Sequence, residues 1–289
     1  MSGVRIGLVE AGGTKFVLGV ADAAGTIIAR HRVPTTTPAE TLGASLDWFR
    51  ALGHDYASFG IASFGPLDLD KASPSWGYIT MTPKPHWAMT DLAGPFAAAF
   101  GCPVAVDTDV NGAALAESLW GAGKGDKLCL YLTVGTGVGG GVVVDGRILH
   151  GASHPEMGHM RLPRHPDDLD FAGHCPFHGA CLEGLAAGPS IIARWGKSLS
   201  QLPPGGAEQR MIAWYLAQAV STFQAMLEPS RIVMGGGVMA TEGLIDLVRE
   251  MADELGNGYF VGKAADIVVR PGLGDDAGLM GAFALSSTF

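Results

Sequence analysis

The chain has 289 residues, 47% apolar and 16% charged, with a formal net charge of −9. That composition excludes disorder, and an acidic balance without any basic run excludes a nucleic-acid partner, which would need clustered Lys and Arg. The length suits two ordinary domains, and no apolar window approaches the ~20 residues of a membrane helix, so no membrane partner is expected.

Met-Ser-Gly-Val-Arg-Ile-Gly-Leu-Val leads straight into strand-like sequence with no secretory signal, which places the chain in the cytoplasm. Arg5–Glu10 and Phe16–Ala21 read as strands flanking the turn Ala11-Gly12-Gly13-Thr14-Lys15, and a third strand, Thr26–Val33, follows a short turn. Three such strands predict an antiparallel meander. Leu42, Leu46, Phe49 and Leu52 give residues 38–52 a helical spacing, and Ala57–Ala62 is a further strand. Ser63–Trp87 is irregular and carries Trp76, Tyr78 and Trp87, which reads as a binding loop. Val104–Val106 is a short strand leading into Asp107-Thr108-Asp109-Val110-Asn111, with a small-residue helix over Ala113–Leu119.

Leu128–Val134, the turn Gly135-Thr136-Gly137-Val138-Gly139-Gly140 and the strand to Val144 repeat the layout of the first thirty residues. A repeated unit predicts two related lobes with a cleft between them. The last third is more helical. Ile212, Tyr215, Leu216, Ala219, Val220, Phe223, Met226 and Leu227 trace one face up to the stop at Pro229. Arg231–Met234 is a strand, Gly235-Gly236-Gly237 a turn, and Leu244–Leu255 a helix. Ile267–Arg270 is a final strand, and the segment from Gly274 opens the last helix.

Glycine turns let backbone amides approach phosphate closely, and a threonine hydroxyl adds a directed donor. The turns at Gly12 and Gly135 both fit, and neither is a Walker or dinucleotide fingerprint because strands, not helices, follow. Two matched turns and the glycines at 235–237 point to a nucleotide. Asp107 and Asp109 follow a strand and precede a helix. A carboxylate there can accept a proton and help place Mg²⁺, although an Asp or Asn, best Asn111, would also cap the helix.

Cys175-Pro-Phe-His178-Gly-Ala-Cys181 gathers three zinc-type ligands, with a fourth upstream at His159, or at His154, His165 or His174. Cys₂His₂ is the composition of a closed structural zinc site, and a hydrolytic zinc centre is the rival use. Cys102 and Cys129 read as buried small apolar residues, and no disulfide is expected.

Together these segments resemble the ROK (repressor, ORF, kinase) family of sugar kinases over essentially the whole chain. Glu10-Ala-Gly-Gly-Thr-Lys15 looks like its first phosphate motif, Asp109-Val-Asn111 its catalytic segment, Thr133–Gly140 its second phosphate motif, and Glu156-Met-Gly-His159 through Cys181-Leu-Glu183 its sugar-and-zinc signature.

The resemblance implies an α/β fold of two actin/hexokinase-like (ribonuclease H-like) lobes. Residues 1–112 would form the small lobe and 113–289 the large one, with a zinc loop at 159–181 and the C-terminal helix packing back on the small lobe. It implies ATP with Mg²⁺ and a hexose as substrates. Asp109 would be the general base, and Thr108, Asp109, Glu156, His159 and Glu183 would meet the sugar. Gly12, Gly13, Thr14, Lys15, Thr136, Gly137, Pro189, Gly235, Gly236, Gly237 and Met239 would hold ATP, and His159, Cys175, His178 and Cys181 a Zn²⁺. A homodimer is the family expectation. The family's repressors carry an N-terminal helix-turn-helix, which is not read here. Glu10 in place of Asp, Thr108 in place of Asn, the Cys-x-x-His-x-x-Cys spacing, and Pro83-Lys84-Pro85 resemble the fructokinase branch, which implies fructose.

Overall fold

The structure is a computed structural model and describes residues 3–287, the Asp275 side chain excepted. They form two compact units, one from the described parts of 1–119, 148–154 and 273–289, the other from 120–147 and 155–272.

In the first unit β1 (Arg5–Ala11), β2 (Lys15–Ala21) and β3 (Ile27–Pro34) make the expected meander, with Glu10 opposite Val17. Helix α1 (Pro38–Ala51) begins where the Thr37 hydroxyl accepts the Glu40 amide and Pro38 supplies a pre-set φ. β4 (Tyr56–Ser63) joins β1 in parallel. The hairpin β5 (Tyr78–Ile79) and β6 (Thr90–Asp91) follows. Trp87 is fully buried and donates its indole N–H to the Thr36 carbonyl at 2.8 Å, so this aromatic of the presumed binding loop belongs to the core.

After α2 (Gly94–Phe100), β7 (Val104–Thr108) pairs with β4 and runs directly into α3 (Asp109–Trp120). The sheet order is β3-β2-β1-β4-β7. Phe49, Phe59, Phe96 and Trp87 fill the core of this unit. Cys102 is only half-buried, because it sits in the α2–β7 turn rather than in the strand.

The second unit holds β8 (Leu128–Val134), β9 (Val138–Val144), most of the edge around β10 (Arg147–Ile148), α4 (Leu182–Ala186), α5 (Gly188–Trp195) and α6 (Ala207–Leu227). β11 (Arg231–Gly235), α7 (Leu244–Gly256), α8 (Ala264–Ile267) and β12 (Val268–Val269) complete it. Its sheet order, β10-β9-β8-β11-β12, repeats the first: an antiparallel hairpin side and a parallel side. The apolar face of α6 packs inward from Ile212 to Phe223. Met226 is exposed, because the helix has run past the core before Glu228 ends it in a left-handed cap.

The final helix α9 (Ala277–Ser286) packs on β1 and β4. It lies so close that a Cβ on Gly60 would stand 1.8 Å from the Ala282 carbonyl oxygen. A helix buried on all sides must be apolar all round, as Leu279, Ala282, Phe283 and Leu285 make it. Gly112 of α3 meets Ala62 of β4 and Gly281 of α9, which keeps α3 with the first unit as far as Leu119, beyond the 112/113 division read from the sequence. Among the described residues no helix is long and apolar enough to cross a membrane.

Candidate functional site

The residues assigned to phosphate, sugar and metal fall into two sets, one in each unit. In the first, the β1–β2 turn is closed by the Gly12 amide donating to the Lys15 carbonyl at 3.1 Å. Thr35 braces it from just after β3, its hydroxyl donating to the Gly12 carbonyl at 2.7 Å. Gly13, Thr14 and Lys15 are left exposed at the tip, as a phosphate turn requires. Glu10, one step inside, is pushed above the usual carboxylate range by burial, against the pull of Lys15 and Arg32. Its carboxylate fills the space beside Gly278, where a Cβ would stand 2.1 Å from the carboxyl carbon. The extra methylene of Glu10 is therefore accommodated by a glycine on α9.

The acidic segment sits at the junction of β7 and α3. Asp109 is the first residue of α3, at the helix end that favours negative charge, and its Oδ1 accepts the Val110 amide at 2.8 Å. Thr108 is buried, and its hydroxyl accepts the Asn111 amide at 3.1 Å; this is the helix cap. Asn111, expected as the cap, is instead a buried residue inside the first turn, and its side-chain amide donates to Asp107 Oδ1 at 2.7 Å. Asp107 also accepts the Thr108 amide at 2.7 Å and faces His150 Nε2 at 2.7 Å. Nothing in the sequence pattern flagged His150; forty-three residues separate it from its partner.

In the second unit, the β8–β9 turn presents Thr136 to solvent, with Gly135 and Gly137 bonded to each other at 2.9 Å. The Gly135 carbonyl accepts the Gly188 amide at 2.7 Å, which brings Pro189, at the start of α5, beside the turn. Val238 donates to the Val134 carbonyl at 2.9 Å and draws in the loop Gly235–Gly237; Gly236 takes φ +94°, a conformation glycine adopts without strain. Met239 is buried behind this loop, and its carbonyl accepts Arg270 at 3.0 Å. Glu183 reaches the same turn: its Oε2 accepts the Val138 amide at 3.0 Å and lies where a Cβ on Gly137 would touch it. The carboxylate assigned to sugar is thus bonded to the phosphate turn, a link the sequence does not reveal. The charge of Glu183 is also the second cause, after burial, that raises the Glu156 carboxyl above its usual range.

His159, Cys175, His178 and Cys181 bring one ligand atom each to within 4.8 Å of one another. Of the four histidines open as the upstream ligand, His159 is the one in the cluster. Its Nδ1 lies 3.5 Å from Cys181 Sγ and 3.7 Å from Cys175 Sγ, and His178 Nδ1 lies 3.7 Å from Cys175 Sγ. Zinc bonds of about 2.3 Å to sulfur and 2.0 Å to nitrogen imply tetrahedral S···N edges of roughly 3.5 Å, which these separations fit. Burial pushes the Cys181 thiol up to about 11. The other ring nitrogen of His159, Nε2, faces Glu156 at 3.9 Å. One imidazole therefore spans from the cysteines to the carboxylate.

The loop that carries these ligands is anchored by a buried ion pair. Arg194 meets Asp168 through two bonds of 2.9 Å, Tyr215 adds a third at 2.7 Å, and the guanidinium lies 4.0 Å over the Phe171 ring.

Residues 6–288 match the ROK family. The chain is 56% identical to the fructokinase of Zymomonas mobilis subsp. mobilis (strain ATCC 31821 / ZM4 / CP4), over 97% of this chain and 95% of the relative. It is 42% identical to the fructokinase of Pediococcus pentosaceus, over 97% of each. Its structure is similar to that of a ROK family glucokinase from Streptomyces griseus in complex with glucose and AMPPNP: TM-score 0.77 and 26% identity, covering 99% of this chain and 100% of the other. With its doubled sheet, paired glycine turns and Asp109 segment matched across almost its whole length, the chain belongs to the ROK family.

Proposed function

We propose that the protein is an ATP-dependent hexose kinase that converts fructose to fructose 6-phosphate. The observation that carries the reading is Asp109 at the head of α3, directly after the edge strand β7, where the helix end favours the ionised carboxylate a base must be. Fructokinases at 56% and 42% identity over nearly the full length support fructose as the sugar.

Asp109 accepts the proton of the sugar's 6-hydroxyl. The freed oxygen forms a bond to the γ-phosphorus, the bond from that phosphorus to the β,γ-bridging oxygen breaks, and ADP leaves. Gly12 to Lys15 and Thr136 with Gly137 offer amides, hydroxyls and one ammonium to the phosphates, and the loop 235–237 with Pro189 borders the nucleotide. Glu10, the hard oxygen donor beside the first turn, would hold the Mg²⁺ of Mg–ATP, which would supply charge neutralisation at the phosphates. Glu156, Glu183 and His159 Nε2 bind sugar hydroxyls.

His159, Cys175, His178 and Cys181 would hold a structural Zn²⁺. Four protein ligands fill a tetrahedral set and leave no open position for a hydrolytic water, which disfavours a zinc hydrolase. His159, with Nδ1 turned to the cysteines, would then carry its proton on Nε2, the atom turned toward Glu156.

The test is a coupled assay of fructose, mannose, glucose and their N-acetyl amines with ATP, on the parent and on Asp109→Asn. Fructose should give the highest kcat/KM, and Asp109→Asn should bind both substrates while turning over orders of magnitude more slowly. Equal turnover in that variant would remove Asp109 from the chemistry; a better sugar than fructose would change only the substrate.

A further inference from the structure

The segment 148–154 packs with the first unit although the chain on either side of it belongs to the second. It is held there by two histidines. His154 Nε2 accepts the Leu67 amide at 3.0 Å, and His150 Nε2 meets Asp107 Oδ2 at 2.7 Å. Asp107 is the penultimate residue of β7 and its side chain is 6% exposed. Its two oxygens accept from three directions: Oδ1 takes the Thr108 amide and the Asn111 side chain, and Oδ2 takes His150. Thr108 and Asn111 bracket Asp109. The carboxylate of Asp107 is therefore the fixed point from which the β7–α3 junction is hung, and His150 is its only donor from outside that junction among the hydrogen bonds described for it.

We infer that His150 is a positioning residue for phosphoryl transfer: through Asp107 it sets the Asp109 carboxylate in the geometry that accepts the proton. His150 is 41% exposed, so its bond contributes little to global stability. Its effect lies in orientation. Misplacing a reacting group by about 1 Å costs on the order of 10²-fold in rate. The inference rests on the kinase reading and on Asp109 as base.

The experiment compares kcat and both KM values for the parent, His150→Ala, His150→Asn and His150→Gln, with Asp109→Asn assayed alongside and melting curves taken for all. Glutamine can put an N–H where Nε2 stands; asparagine is polar but too short. His150→Ala and His150→Asn should lower kcat roughly 10- to 100-fold, with KM for sugar and ATP within about twofold of the parent, and His150→Gln should recover most of the loss.

Parental kcat in His150→Ala, a rise in KM that accounts for the loss, or a glutamine variant as slow as alanine each overturns the inference. So does loss of the melting transition in the alanine and asparagine variants, because a positioning residue leaves the fold intact. If Asp109→Asn is inactive and His150→Ala is not impaired, only this inference fails. If Asp109→Asn keeps its turnover, the reading beneath it fails first.

Discussion

Single side chains at the β7–α3 junction carry more than one duty. The sequence assigned Thr108 to the sugar; in the structure its hydroxyl is buried and engaged as the helix cap. Thr108→Ala should cost about 1 kcal/mol in a urea titration, the usual loss for a cap; no change in the midpoint would show that the hydroxyl is not needed there. The Asp107 hydrogen bond raises the His150 pKa above its ordinary 6.5, against the effect of burial. A raised folded value means that the stabilisation is complete below the unfolded pKa and is lost as pH climbs through the folded one. The small stability gap between parent and His150→Ala should therefore be widest below about pH 6 and narrow as pH rises above it. A gap that widens with pH would contradict the pairing.

The elements of the second unit show why the metal loop keeps its shape outside regular structure. Residues 159–181 contain short 3₁₀ turns and the isolated bridges Arg161–Cys181 and Cys175–Gly179, so no continuous ladder holds them. The Asp168–Arg194 pair substitutes for a ladder: both side chains are about 5% exposed or less, and Tyr215 on α6 completes the set. Arg194→Met removes the bidentate partner of a buried carboxylate and leaves it only Arg164, 4.0 Å away, as a cation. It should destabilise the protein by about 3–5 kcal/mol in chemical denaturation, far above an exposed pair. A loss under about 1 kcal/mol would place the anchor elsewhere.

On the scale of the whole molecule, the proposed zinc would link stability to sugar binding. Metal analysis should find about one zinc per chain. A strong chelator or Cys181→Ser should lower both the melting temperature and the affinity for sugar if His159 serves both, as proposed. Unchanged stability after metal loss would exclude a structural role.

The amino-acid sequence by itself determined the duplicated strand–turn–strand layout, the two glycine turns, the acidic segment and the composition of the ligand set. Each of these depends on local spacing and residue chemistry, which sequence displays directly. Tertiary structure alone decided which histidine joined Cys175, His178 and Cys181, that Glu183 bonds the Val138 amide of the phosphate turn, that Trp87 is core, and that His150 holds Asp107. Those partners lie up to forty-five residues apart, and only the packing of helices and strands brings such distant side chains within bonding distance.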